Sequence, residues 1–134
     1  MEPGVASHAL VNGFVNIPGK LAAELVRWAA DGGVVRYGDT PVTETLRAID
    51  RPVLFVAGAA DRLAPPSTVR LAFDAWGADR GRAEKSLRVV GLEHGAAADY
   101  GHGDLAIGRF AEQDVFEPVA EFLAEGAGAA SLLH

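Results

Sequence analysis

The chain has no cysteine, which excludes disulfides, a thiolate nucleophile and a zinc site of the thiolate kind. Positive charge is also scarce: 12 Lys and Arg against 18 Asp and Glu leave a formal charge of −6 over 134 residues. No nucleic-acid partner is expected, because phosphate binding needs clustered basic side chains. The one candidate cluster, Arg80, Arg82, Lys85 and Arg88, is interrupted by Glu84. No apolar run approaches the roughly 18 residues that cross a bilayer, so no membrane span is expected. Met1-Glu2-Pro3-Gly4 lacks the basic stretch and apolar core of a signal peptide, and a cytoplasmic location is the expectation. No metal or cofactor is expected either. His94, Asp99, His102 and Asp104 lack a rigid ligand spacing such as H-E-x-x-H, and the glycine-rich stretch 91–108 lacks G-x-G-x-x-G between a strand and a helix.

Apolar residues make up 49% of the chain, ample for the core of one compact domain. Leu21, Leu25 and Trp28, with Ala22 and Ala29, recur at helical spacing after Asn16-Ile17-Pro18, with Asn16 as a cap and Gly32-Gly33 as the stop. Val34 to Tyr37 reads as a short strand closed by Gly38-Asp39, and Thr43 to Ile49 as a short helix before the Asp50-Arg51-Pro52 turn. Val53-Leu54-Phe55-Val56-Ala57 is apolar without alternation, the mark of a strand covered on both faces.

Beyond the Gly58-Ala59-Ala60-Asp61 turn, Ser67 is the expected cap of a helix with an apolar stripe of Val69, Ala72, Phe73 and Trp76, ended by Gly77. Leu87 to Leu92 reads as a second strand, more exposed at Arg88, followed by a long loop over 91–108. A last helix carries Val115, Phe116, Val119, Phe122 and Leu123, with Asp114 and Glu117 spaced as a capping box and Pro118 in the first turn. Glu125 to Ser131, EGAGAAS, reads as a loose tail. Trp28, Phe73, Trp76, Phe116 and Phe122 are expected in the core.

Strand, helix, strand, helix predicts an α/β fold with a parallel sheet. Two or three strands make a small sheet with open edges. The sequence therefore reads as part of a larger domain, able to associate with itself or with another chain through such an edge.

Polar groups in such sheets collect beyond the carboxyl ends of strands. Asp61 follows the first strand by four residues, and His102 lies in the loop after the second. Adjacent parallel strands are about 4.8 Å apart, close enough for the two to meet. The acid would then fix the imidazole tautomer and leave the other ring nitrogen as a base. Each residue also has a plainer reading: Asp61 as a turn former bonded to its own backbone, and His102 as a packed loop histidine. His94, also followed by glycine, competes for the role of base. Glu93 and Asp99 read as solvated, and Tyr100 either positions the loop or simply packs.

Residues 49–66, from Ile49-Asp50-Arg51-Pro52 through Gly58-Ala59-Ala60-Asp61 to Pro65-Pro66, resemble the acid-bearing strand and turn of α/β-hydrolases. Tyr100-Gly101-His102-Gly103-Asp104-Leu105 and the helix after it resemble their histidine loop. Gly13 to Trp28 is similar to the end of the helical lid in the lipase and polyhydroxyalkanoate-synthase-like branch. The resemblance runs from about residue 13 to residue 123. It implies Asp61 as triad acid and His102 as triad base of an ester-directed acyl hydrolase. It also implies lid and connection over 1–48, the C-terminal part of the hydrolase core over 49–124, and a tail over 125–134.

The nucleophile of that family is missing. The fold carries it in G-x-S-x-G ahead of the acid, whereas Ser7, Ser67, Ser86 and Ser131 have no glycine two residues before or after. Gly77-Ala78-Asp79-Arg80-Gly81 has the letters of an elbow with an aspartate, but it follows a helix and reads as a helix-terminal turn. By resemblance the chain would act on a small acyl or ester substrate only when complemented by a nucleophile-bearing half, and would be inactive alone. The alternative expectation is a non-catalytic half-domain.

Overall fold

A computed structural model of the chain describes residues 18–30, 35–81 and 84–131. Asn16, Gly32, Gly33, Val34 and Arg82, and the side chains of Leu25 and Ala29, lie outside that description. The elements are α1 (Gly19–Ala30), β1 (Arg36–Tyr37), β2 (Thr40–Pro41), α2 (Val42–Arg47), β3 (Val53–Gly58), α3 (Pro66–Ala75), β4 (Lys85–Val90), α4 (Asp104–Ile107) and α5 (Glu117–Ser131). Helices and a small parallel sheet together make the chain α/β. Among the described residues no helix is long and apolar enough to cross a membrane.

β3 and β4 pair in parallel, from Val53 opposite Lys85 to Gly58 opposite Val90. Successive side chains of β3 point to opposite faces. Phe55 meets Phe73 of α3 and Trp76 just after it edge-on, with ring centroids 6.0 Å and 5.9 Å away. Val56 packs on the other face against the cluster of Val90, Tyr100, Ala111 and Val115. Only Ala57 and Gly58 of β3 are buried; Val53 to Val56 are half-buried. The double cover expected from an unalternated apolar strand is thus incomplete, because β4 is the one strand beside β3 among the described residues.

Lys85 ties the unit together. Its Nζ donates to the carbonyls of Phe73 (2.8 Å), Asp74 (3.2 Å) and Trp76 (3.0 Å) and stands 4.9 Å from the Phe73 ring centroid. Helix C-termini expose unpaired carbonyls, and a cation there also complements the helix dipole. The turn after α3 closes α2 in a similar way, since Gly77 N–H donates to Leu46 O and Asp79 N–H to Arg47 O, each at 3.0 Å. Gly77 and Gly81 have φ of +65° and +67°, so residues 77–81 form a helix-terminal turn, as expected. Asp79 there pairs with Arg47 at 2.6 Å.

Several local expectations are corrected. β1 continues through Gly38-Asp39 into β2 as a hairpin, with Gly38 at φ +62° as tight hairpin turns require. Ser67 does not cap α3. Pro65 occupies the cap position and Pro66 the first helical position, where a fixed φ and a missing N–H cost nothing. β4 lies at Lys85–Val90 rather than Leu87–Leu92, fixed by Val53 N–H donating to Glu84 O at 3.0 Å. The expected loop 91–108 contains a short 3-10 turn, Leu92–His94, and α4. Phe116, expected in the core, is exposed, as is Leu123 on the same helix. Helix α5 runs through Glu125 to Ser131, where composition predicts a loose tail; alanine favours helix at these positions.

The largest correction concerns Asp114. The chain is already helical at Ala111, and residues Glu112–Phe116 form a π turn that leads into α5. Asp114 is therefore an interior helical residue, and its carboxylate does not cap. Pro118 has no N–H for the carbonyl of Asp114 four residues back. The Nε of Arg88 donates to that carbonyl instead, at 3.3 Å.

Candidate active site

Three residues past the end of β3, the chain turns sharply and places Asp61 above the sheet edge. Ala59 N–H donates to Val90 O (2.9 Å) and Ala60 N–H to Tyr100 O (3.0 Å), so the turn is bonded both to β4 and to the loop after it. The crossing of these segments is tight. A Cβ at Gly58 would lie 2.3 Å from Tyr100 O, and one at Gly91 would lie 2.4 Å from the Ala59 Cβ. Only glycine permits such an approach.

Asp61 is buried, at 4% exposure, and its two oxygens have different partners. Oδ1 accepts the backbone N–H groups of Leu63 and Ala64, each at 2.8 Å. Oδ2 lies 2.8 Å from Nδ1 of His102. The turn-forming and imidazole-holding readings of Asp61 thus hold together, one on each oxygen. Burial is the largest influence on its carboxyl and opposes ionisation. The hydrogen bonds from Ala64, His102 and Leu63, with the charge of His102, outweigh that penalty and hold the group below its ordinary 3.8.

A carboxylate ionised near neutrality can only accept hydrogen bonds. The bond to His102 therefore requires a proton on Nδ1; in the neutral ring Nε2 then carries the lone pair. The His102 side chain is 57% exposed, so the arrangement is an anchored acid with an accessible imidazole. It can orient the ring, take a proton at Nε2 and stabilise the resulting imidazolium.

The loop that carries His102 is itself fastened. Asp104 Oδ2 accepts Gly101 N–H at 2.9 Å. Tyr100, 2% exposed, donates its hydroxyl to Asp114 Oδ2 at 2.7 Å, and the same oxygen accepts Ala97 N–H at 2.9 Å. Burial, then the bond to Asp114, pushes the Tyr100 phenol up to about 12.

The structure brings Asp61 and His102 together and leaves His94 apart, exposed at the end of the Leu92–His94 turn. Asp99 is more than a solvated acid, since its Oδ1 accepts Leu92 N–H at 2.9 Å. Among the described residues no group of three or more His and acidic side chains is placed to hold a metal ion. The open cleft of about 1040 Å³ beside α1 and the hairpin is lined by Trp28, Tyr37 and their neighbours and includes neither Asp61 nor His102. Ser67 and Ser86 are exposed, on α3 and β4 respectively.

The Tyr100–Asp114 bond escaped the sequence reading, which assigned Asp114 to a cap. Pro118 pointed toward a helix start near Asp114; with the chain already helical at Ala111, Asp114 is interior, where aspartate is unfavourable without a specific partner. No family model, no curated protein and no solved structure matches the chain.

Proposed function

We propose that this chain is the acid- and base-bearing C-terminal part of an α/β-hydrolase-fold enzyme that acts on ester-like acyl substrates, its nucleophile being supplied by a separate half. The observation that carries this reading is the 2.8 Å contact between Asp61 Oδ2 and His102 Nδ1 across two parallel strand ends. In the completed site a serine (or cysteine) of the other half attacks the acyl carbonyl while Nε2 of His102 takes its proton. The imidazolium protonates the leaving group, and His102 then activates water against the acyl-enzyme, with Asp61 holding the ring throughout. Alone, the dyad has no nucleophile to activate.

The test is to search the coding DNA upstream of Met1 for an in-frame or adjacent G-x-S-x-G elbow and to co-express that polypeptide with this chain. The isolated chain should hydrolyse p-nitrophenyl butyrate no faster than free imidazole. The complemented pair should turn it over, and His102→Ala should lower kcat by roughly 10⁴-fold or more. Turnover by the isolated chain that disappears in His102→Ala, or complemented turnover indifferent to His102, overturns the reading.

A second reading, a non-catalytic half-domain that pairs with another half or with itself, is favoured by β3. Its Val53–Val56 segment is apolar yet only half-buried, with β4 as its one strand neighbour among the described residues. Absence of an upstream G-x-S-x-G elbow favours this reading, and a monomer that unfolds cooperatively in sedimentation and urea experiments counts against a missing half altogether.

A further inference from the structure

We propose that the buried Tyr100–Asp114 hydrogen bond sets the position of His102, which makes Tyr100 and Asp114 positioning residues of the Asp61–His102 dyad. The inference rests on the reading of that pair as a working dyad and adds what aligns it. The His102 ring is more than half exposed, and Asp61 is the partner it is bonded to. Its location therefore depends on where the backbone just before it stands. Glycines flank it as Gly101 and Gly103, and glycine restrains the chain least.

Gly101 is held to Asp104 of the same loop, through its N–H at 2.9 Å; the first buried side chain on the N-terminal side, and the first tie to other elements, is Tyr100. Its carbonyl accepts Ala60 N–H at 3.0 Å, one residue from Asp61, while its hydroxyl is bonded 2.7 Å from Asp114 Oδ2. The two bonds hold one residue at both ends, over the acid's turn and against the final helical segment. Asp114 Oδ2 also takes Ala97 N–H, so a single oxygen gathers the loop at two points ahead of the histidine.

Packing alone does not call for this pair. Phenylalanine would fill nearly the same volume without burying a hydroxyl and a carboxylate, both of which are costly to desolvate. What the polar pair adds is direction, since a hydrogen bond fixes orientation where apolar contact tolerates sliding.

The experiment reads the tautomer of His102 in the full chain labelled with ¹⁵N-histidine. Long-range ¹H–¹⁵N correlation is recorded where the imidazole is neutral, and the signal is assigned by its loss in His102→Gln. The wild-type chain should favour the Nδ1-protonated form by roughly tenfold, and Asp61→Asn, whose amide presents N–H to Nδ1, should reverse that preference. Tyr100→Phe and Asp114→Ala should each lower the ratio at least about threefold while circular dichroism stays unchanged. Asp114→Asn, whose amide oxygen can accept both bonds, should retain it.

Equal ratios in wild type and Asp61→Asn would remove the dyad reading and this proposal with it. Loss in Asp61→Asn with retention in Tyr100→Phe and Asp114→Ala would overturn the positioning role alone. Failure of both Tyr100→Phe and Asp114→Ala to fold would also overturn it, by making the bond a support of the domain rather than of the histidine.

Discussion

Arg88 supplies to Asp114 the hydrogen bond that Pro118 cannot. Its guanidinium Nε lies 3.3 Å from the Asp114 carbonyl, four residues before a proline that has no N–H to give. The side chain that marks β4 as a half-exposed strand thus repairs the helix packed beside it. Arg88→Ala should destabilise the chain by about 1 kcal/mol, because a helical carbonyl loses its donor. In a Pro118→Ala background, where the backbone can supply the bond, the same substitution should cost less. Urea unfolding of the four proteins of this cycle measures the coupling.

Lys85 is expected to matter more than a half-buried surface lysine usually does. Lys85→Met keeps the aliphatic stem and removes the donor to three carbonyls. A loss of about 1–2 kcal/mol is expected in urea unfolding, with faster amide exchange in the last turn of α3.

Asp61 should produce an acid limb in stability. Its folded-state pKa lies below the ordinary 3.8, so its contribution is present above the unfolded value and is lost as pH falls through the folded one. Stability measured from pH 2 to 6 should therefore rise with pH below about 4 and flatten above about 5. Asp61→Asn should reduce that slope.

Gly58→Ala should strike the fold and the dyad together. The new Cβ would fall 2.3 Å from Tyr100 O, a backbone atom that cannot swing away like a side-chain tip. A cost of about 2–4 kcal/mol in urea unfolding is expected, in the range of overpacking and strain, together with loss of the His102 tautomer preference. Gly38→Ala adds a side chain in open space and serves as a control. Its φ of +62° makes it mildly unfavourable, but it should leave His102 unaffected.

The meeting of Asp61 and His102 was legible in the sequence because its signal is topological. A strand of five apolar residues, an acid just past its end and a histidine after the next strand suffice to bring Asp61 and His102 to a common rim. Arg88 likewise marked β4 as more exposed, although the strand's limits shifted by two residues, because register depends on pairing with Val53. The reading failed where a local pattern had two physical explanations. Asp114 and Glu117 match a capping box, but the helix starts earlier and the carboxylate answers Tyr100 instead. Phe116 and Leu123 sit at helical spacing but are exposed, since periodicity identifies an apolar face without saying what covers it.

The fastening of Tyr100 to both Ala60 and Asp114 has a consequence for any encounter with a reactive serine or cysteine. Under the proposed function, alignment of acid and base would be settled before the encounter, within the stretch from Val53 to Pro118. An incoming oxygen or sulfur would meet a proton acceptor already aimed. The entropy of ordering it would then have been lost during folding and would not weigh on docking.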